Sequence, residues 1–485
     1  MYLKHIILFS IVLLLSACQS IPDLSHNDDV SKSPAISDMQ WQQSQQTVLA
    51  ALREDNFDLA TDFLMKMLPQ ANDLDPRWHY IRMALAVMPA DYALPIIEQA
   101  LQMPVVKKSP DYLFSFSRLL MQYKQPERAL TVINQAIDIE RNEALIFWRA
   151  RLLAISQNFK EAKQDYQWLL SQSPEQSDYL SQYAALLMQT ENYSEAESLL
   201  SQHGDVLHLK YQHILLLLQQ DKYDQAQPLY DQLVSQISID ELSAKEQINY
   251  GELALWLKDY PTSLALLSKI NDAEYVYQAK LLMGRVYLAL DDSERALVLF
   301  KQVQNAPEDV AIPSFQMAAE VYMMQDSADN AIAILSEGLR FFQNQSDLLY
   351  SRALVFAQQA NVTAAEEDLM KIIEQQPEHA DALNVLGYTW ADNDMNLDQA
   401  YDYIKQAHLL KPDSKAILDS MGWVYFKRGD FIKAEYYLRA ALNDKLTDEE
   451  TLRHLIVVLE AQNKHEEARF FIDQLKQIQQ DENAL

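Results

Sequence analysis

A single cysteine, Cys18, and only seven glycines occur in the 485 residues of this chain. One cysteine permits no disulfide within the chain, so an oxidising compartment would be tolerated rather than exploited. It also rules out a Cys-x2-Cys thiolate site. Seven glycines leave little material for phosphate cradles, and neither Gly-x4-Gly-Lys-Ser/Thr nor Gly-x-Ser-x-Gly occurs. His-Glu-x2-His is missing as well. His203, His208 and His213 recur every five residues. That interval spaces them about 140° apart around a helix, not along one face. Gly204 also interrupts the run, so these histidines read as solvated or locally capped. Cations are short too: 40 Lys and Arg face 69 Asp and Glu, for a formal net charge of −29. Nucleic acid is thereby disfavoured as a partner, because its affinity rests on neutralising phosphates. The acidity favours solubility. Carboxylates such as Glu366, Glu367 and Asp368 read as a solvated helix face. These shortages point to no metal, no cofactor and no catalytic residue.

What is present begins with MYLKHIILFSIVLLLSACQS at residues 1–20. Lys4 supplies a short positive start, and the apolar run Ile6 to Leu15 is too short to span a bilayer. Residues 1–17 therefore read as a signal peptide. Leu15-Ser16-Ala17-Cys18 resembles the bacterial lipobox, which implies cleavage before Cys18 and lipid attachment to it. One acyl chain binds membranes marginally, at about 0.8 kcal/mol per buried CH₂, whereas several chains anchor stably. Gln19 stands where bacterial lipoproteins retained in the inner membrane carry Asp. By that resemblance the protein is expected at the outer membrane, facing the periplasm. Residues 18–40 are polar, carry Pro22 and Pro34, and read as a flexible tether.

From Trp41 onward the apolar residues keep a helical period. Leu418-x2-Met421-Gly422-x2-Tyr425 is followed by Ala434-x3-Leu438. One unit earlier, Leu383-x2-Leu386-Gly387-x2-Trp390 is followed by Ala400-x3-Ile404, Ala407 and Pro412. This matches the tetratricopeptide (TPR) pattern, a helix–turn–helix of about 34 residues with small residues where its helices touch. The small residue opening each second helix can be followed as Ala60, Ala93, Ala129, Ala162, Ala196, Ala226, a degenerate unit near Leu264, Ala296, Ala331, Ala365, Ala400, Ala434 and Ala468. Most steps are 33 to 36 residues. The fold class expected is all-α, a TPR superhelical solenoid of about 12–13 repeats. Turn signals separate the paired helices at Asn158, Asn192, Asp221, Asp291-Asp292 and Gly429-Asp430, and Asn393 to Asn396 carries one extra residue. Register is least regular between residues 200 and 270, with an irregular hinge expected near 236–275. The chain is read as an array with degenerate repeats over 41–270, a second array over 271–476, and a polar tail over 477–485.

In such a superhelix the first helix of each pair lines the concave groove. Counted from the motif glycine, the residues facing it include Tyr350, Asn384, Tyr388, Asp419, Trp423, Phe426 and Lys427. Aromatics interleaved with Asp and Asn suit capture of an extended peptide or partner helix. Tyr388 and Trp423 can equally serve packing between neighbouring first helices. Only Lys427 falls where a basic carboxylate clamp would need cations. The N-terminal end, with Trp41, Val48 and Leu52, is a candidate docking or self-association surface, because solenoid ends need capping.

The block Leu386 to Leu442, most specifically Leu418 to Trp423, is similar to the C-terminal block of a gammaproteobacterial outer-membrane TPR lipoprotein family. This is the LbcA-type family of lipoprotein partners of the carboxy-terminal processing protease. Trp390 departs from its pattern, which has a smaller or aliphatic residue there. The resemblance implies a non-enzymatic scaffold that gathers a periplasmic protease and its cell-wall hydrolase substrates and promotes proteolysis. An assembly or structural scaffold of the envelope, such as a secretin, pilus or outer-membrane biogenesis partner, is the alternative.

Overall fold

The computed structural model describes residues 38–71, 75–442 and 448–482. The signal peptide, Cys18 and most of the 18–40 tether lie outside the described residues, and the first helix already begins at Asp38. The chain divides into two compact units at Ile237/Ser238.

Unit one holds six helical hairpins. Helix α1 (Asp38–Arg53) pairs with α2 (Phe57–Met67), and α3 (Asp75–Ala86) with α4 (Ala90–Gln102). After the one-turn α5 (Pro104–Lys107), α6 (Pro110–Gln122) pairs with α7 (Pro126–Ile139) and α8 (Glu143–Ile155) with α9 (Phe159–Gln172). The unit closes with α10 (Ser177–Gln189) and α11 (Tyr193–Gln202), then α12 (Leu207–Gln219) and α13 (Tyr223–Gln236).

Unit two holds seven. These are α14 (Ala244–Trp256) with α15 (Tyr260–Leu267), α16 (Val276–Ala289) with α17 (Ser293–Val303), and α18 (Glu308–Met324) with α19 (Ala328–Phe341). Then come α20 (Ser346–Gln358) with α21 (Val362–Gln375), and α22 (Ala380–Asp392) with α23 (Leu397–Leu410). The last two are α24 (Lys415–Lys427) with α25 (Phe431–Leu442), and α26 (Glu449–Ala461) with α27 (His465–Glu482). No strand occurs among the described residues. Ile248 and Leu267 share a core cluster with Ile270, Ala279 and Leu282, so packing continues across 270/271.

The hairpins close by one recurring device. In most turns three residues separate the helices, and the middle one has positive φ: Asp55, Lys124, Gln157, Glu191, Asp221, Lys258, Asp291, Asp326, Ala360, Gly429 and Asn463. The residue after it returns its N–H to a carbonyl of the preceding helix, as Asn158 does to Leu153 at 2.8 Å and Asp430 to Tyr425 at 2.9 Å. This is the Schellman closure, which satisfies orphan carbonyls at a helix end. In the turn with the extra residue both Asp394 and Asn396 take positive φ, and Met395 makes the equivalent bond to Trp390.

Within each hairpin the small residues let the helices meet. Every alanine of the series from Ala60 to Ala468 is buried. The degenerate unit needs one correction: Ser263, not Leu264, takes the packing position. Ser263 is fully buried and its Oγ donates to the Gly251 carbonyl at 2.7 Å, which satisfies the hydroxyl that an alanine would lack. Opposite Ala434, a Cβ on Gly422 would lie 2.5 Å from Leu438 Cγ and 3.0 Å from the Ala434 carbonyl oxygen.

The N-terminal residues read as a self-association surface also need correction. Trp41 and Val48 are buried and Leu52 is half-buried against the same core. Trp41 meets Tyr80 edge-on at 6.4 Å, with the Arg77 guanidinium 4.7 Å from its ring. The first hairpin uses these apolar side chains to pack on the second.

Candidate interaction face on the first helices

The seven residues read as facing a groove fall on α20, α22 and α24, the first helices of successive hairpins in unit two. The structure brings several of them together and adds groups from α26. Asp419 is buried, and His454 Nδ1 lies 3.0 Å from both of its carboxylate oxygens. A carboxylate can only accept, so Nδ1 carries the proton. The His454 ring stacks on Trp423 at 4.1 Å, and Trp423 stacks on Phe426 at 5.0 Å. Trp423 Nε1 donates to Asp392 at 3.0 Å. Lys427 Nζ sits 5.4 Å from the Trp423 ring and donates to the Asp392 carbonyl and to Asp394. Tyr388 donates its hydroxyl proton to Glu450 at 2.8 Å and packs 6.1 Å from His454. Burial first, then the bond to Glu450 and the nearby carboxylates, pushes the Tyr388 phenol far above its ordinary value, so it stays a donor.

Tyr388, Trp423, Phe426 and Lys427 remain half-buried, and together they form one aromatic face edged by carboxylates. Two residues do not present themselves as expected. Asn384 and Asp419 are buried, Asp419 beneath His454 of the next first helix. Asn384 Oδ1 has no hydrogen-bond partner among the described residues. Tyr350 stands apart from the cluster, half-buried, with its ring 6.0 Å from His379.

His454, Glu450 and Asp392 are the members that sequence reasoning missed. A signal for one of them existed. Asp419 and His454 are 35 residues apart, and Gln316 donates to Ser351 across the same interval of 35. A repeat period plus one thus links successive first helices.

Asp368 corrects another expectation. It is buried rather than solvated, and Arg352 grips it with Nε at 2.7 Å and Nη2 at 2.8 Å. Its neighbour Glu366 accepts from Trp390 Nε1 at 3.0 Å, and Trp390 stacks on Tyr403 at 5.4 Å. Those contacts give the unexpected tryptophan its place. Elsewhere His213 is buried and His203 lies 3.3 Å from Glu175.

The paired helices, their small-residue contacts and their Schellman turns define a class. The chain is a tetratricopeptide-repeat protein with an all-α solenoid fold. Comparison with known proteins gives partial matches. The TPR repeat-containing protein PA4667 of Pseudomonas aeruginosa is 33% identical over 207 residues, covering 43% of this chain and 35% of that protein. Bacteriophage adsorption protein A of Escherichia coli is 28% identical over 95 residues, covering 19% of this chain and 9% of that protein. The chain thus matches well under half the length of either relative. A model describing the coatomer epsilon subunit matches residues 317–484. Among solved structures, a tetratricopeptide repeat protein from Parabacteroides merdae aligns with a TM-score of 0.41 at 16% identity, over 48% of this chain and 93% of that one. The Cut9–Hcn1 hetero-tetramer of APC/C aligns with a TM-score of 0.39 at 16% identity, over 91% and 95%.

Proposed function

We propose that this protein is a non-catalytic, lipid-anchored adaptor that binds a carboxy-terminal processing protease together with its cell-wall hydrolase substrates and promotes their degradation. Its site of action is the periplasmic side of the outer membrane, held there through Cys18. The observation that carries the protein-binding part is the half-buried aromatic face of Tyr388, Trp423 and Phe426, edged by Lys427 and carboxylates. Aromatic side chains held rigid by neighbours suit anchoring of a partner segment, since little side-chain freedom is left to lose. Anchoring and the class of partner are supported by the lipobox and by the resemblance of Leu386 to Leu442. Gathering protease and substrate on one tethered scaffold raises their effective concentration without new contacts.

The test is affinity capture from envelope extracts with the full chain, followed by a proteolysis assay on what is captured. A periplasmic processing protease and cell-wall hydrolases are expected, with hydrolase cleavage accelerated by the chain. Capture of secretion or pilus components with no protease would set the adaptor reading aside. Incorporation of labelled fatty acid that disappears in Cys18→Ser tests the anchor.

A further inference from the structure

The carboxylates edging the Trp423 face are of two kinds. Asp394 lies 3.0 Å from the Lys427 ammonium, and Asp419 is held by His454 Nδ1. Asp392 and Glu450 instead meet neutral donors, the Trp423 indole N–H at 3.0 Å and the Tyr388 hydroxyl at 2.8 Å. Lys427 directs its ion pair to Asp394, and Arg453 of α26 pairs with Glu449 at 2.7 Å. Among the described residues, neither Asp392 nor Glu450 has an ion-pair partner. A tyrosine–glutamate bond in unit one shows the contrast. Tyr183 donates to Glu195 there, and Lys163 lies 2.5 Å from the same carboxylate.

A second feature points to a ligand. Asn384 stands one turn before Tyr388 on the same face of α22 and is only 8% exposed. Its Oδ1 is buried with no hydrogen-bond partner among the described residues, and a buried carbonyl without a donor costs free energy. Three acceptors therefore lack what a cationic side chain brings: a counter-charge for Asp392 and Glu450, and an N–H for Asn384. The rings favour the same chemistry, because the electron-rich face of an aromatic ring attracts a cation. Lys427, 5.4 Å from the Trp423 ring, already makes that contact within the chain.

We propose that the Trp423 face recognises a basic segment of its protein partner. A Lys or Arg side chain of that segment lies among the Tyr388, Trp423 and Phe426 rings, drawn by Asp392 and Glu450, and Asn384 Oδ1 accepts an N–H from it. This inference rests on the adaptor reading of the same face and names the chemistry that the face takes. Charge complementarity decides the occupant. An acidic segment would meet two carboxylates that no cation neutralises. A second copy of this chain, at net charge −29, would be repelled as a whole.

The probe is a short fluorescein-labelled peptide with a Leu-Arg-Lys-Leu core, titrated against the full chain by anisotropy. Peptides with Gln-Gln or Glu-Asp in place of Arg-Lys are the controls. The basic peptide is expected to saturate, at least about tenfold more tightly than the neutral one, with hydrogen-exchange protection in residues 384–394, 419–427 and 450–457. Added salt should erase that advantage. Asp392→Asn/Glu450→Gln removes both charges and keeps an oxygen to accept from Trp423 and Tyr388. Both side chains are exposed, so the unfolding midpoint should hold. The double variant should weaken the basic peptide by at least about tenfold and leave the neutral one unchanged. Diffuse attraction to a chain of net charge −29 would survive that variant, so an unchanged affinity overturns the proposal. No saturation up to about 1 mM, or a control peptide that binds as tightly, overturns it equally. Capture of the processing protease from envelope extracts separates this inference from the adaptor reading and is expected to fail in the double variant and in Trp423→Ala. Loss in Trp423→Ala alone would overturn the cation and leave the adaptor face standing, whereas capture by both variants would overturn the use of this face altogether.

Discussion

Asp368 and Arg352 stand 16 residues apart, and so do Asp165 and Arg149. Each pair joins the first helix of a hairpin to its own second helix, one in each unit. Asp368 is 2% exposed and accepts two parallel N–H bonds from the guanidinium, a geometry that only arginine supplies. In the other pair the bond to Asp165 is the largest cause that raises the Arg149 guanidinium above its ordinary value. Removing one partner strands the other charge. Asp368→Ala is expected to destabilise unit two by roughly 3 kcal/mol, read as a lowered urea midpoint. Replacing both partners with apolar residues of similar volume should cost far less. The scarcity of glycine acts at the same scale. Ala360 holds φ of 53° with no side chain able to compensate by hydrogen bonding. Ala360→Gly should stabilise by about 0.5–1 kcal/mol, the left-handed penalty relieved less the extra chain entropy glycine loses. A lower midpoint in that variant would mean the turn tolerates alanine without strain.

At the scale of the element, helix pairs are fixed by how closely their backbones approach. A Cβ on Gly387 would lie 2.8 Å from the Ala400 carbonyl oxygen, which cannot rotate away, and 2.6 Å from Ile404 Cγ1. Gly422 meets the same obstacle in Leu438 and Ala434. Gly422→Ala is therefore expected to cost about 1–3 kcal/mol through overpacking, although alanine favours a helix interior. The measurement is hydrogen exchange in residues 415–442, which should accelerate there first. This layer of the structure was legible in the sequence because small residues at fixed spacing have one dominant use, close helix contact. Ser263 was missed for the reason that the pattern sought alanine, whereas a serine fits once its hydroxyl finds the Gly251 carbonyl. Tyr388, Trp423 and Phe426 were placed correctly on first helices by counting from glycine. Their partners His454 and Glu450 were not, because they belong to a hairpin whose first helix carries Ile456 where the glycine would stand. Burial of Asp368 was invisible for a related reason. A lone carboxylate among Glu366 and Glu367 looks solvated until the arginine of the preceding helix is phased against it.

Across the whole molecule, a repeat array distributes its stability as terms within hairpins and terms between neighbours. Each unit has its own core. Trp78, Phe116 and Ile133 belong to the cluster of unit one, while unit two breaks into several smaller clusters, among them the one around Leu383, Trp390 and Met421. A perturbation placed in unit two should therefore spread only as far as its neighbours couple to it, and global unfolding should depart from a single two-state transition. Asp368→Ala makes this measurable. A loss of roughly 3 kcal/mol in local opening free energy should accelerate amide exchange by about a hundredfold in residues 346–392. Residues 38–236 should keep their rates. Uniform acceleration through both halves would instead mean that the array opens as one cooperative body. The two outcomes bear on function, because a scaffold whose hairpins open locally can admit a partner at one surface without loosening another.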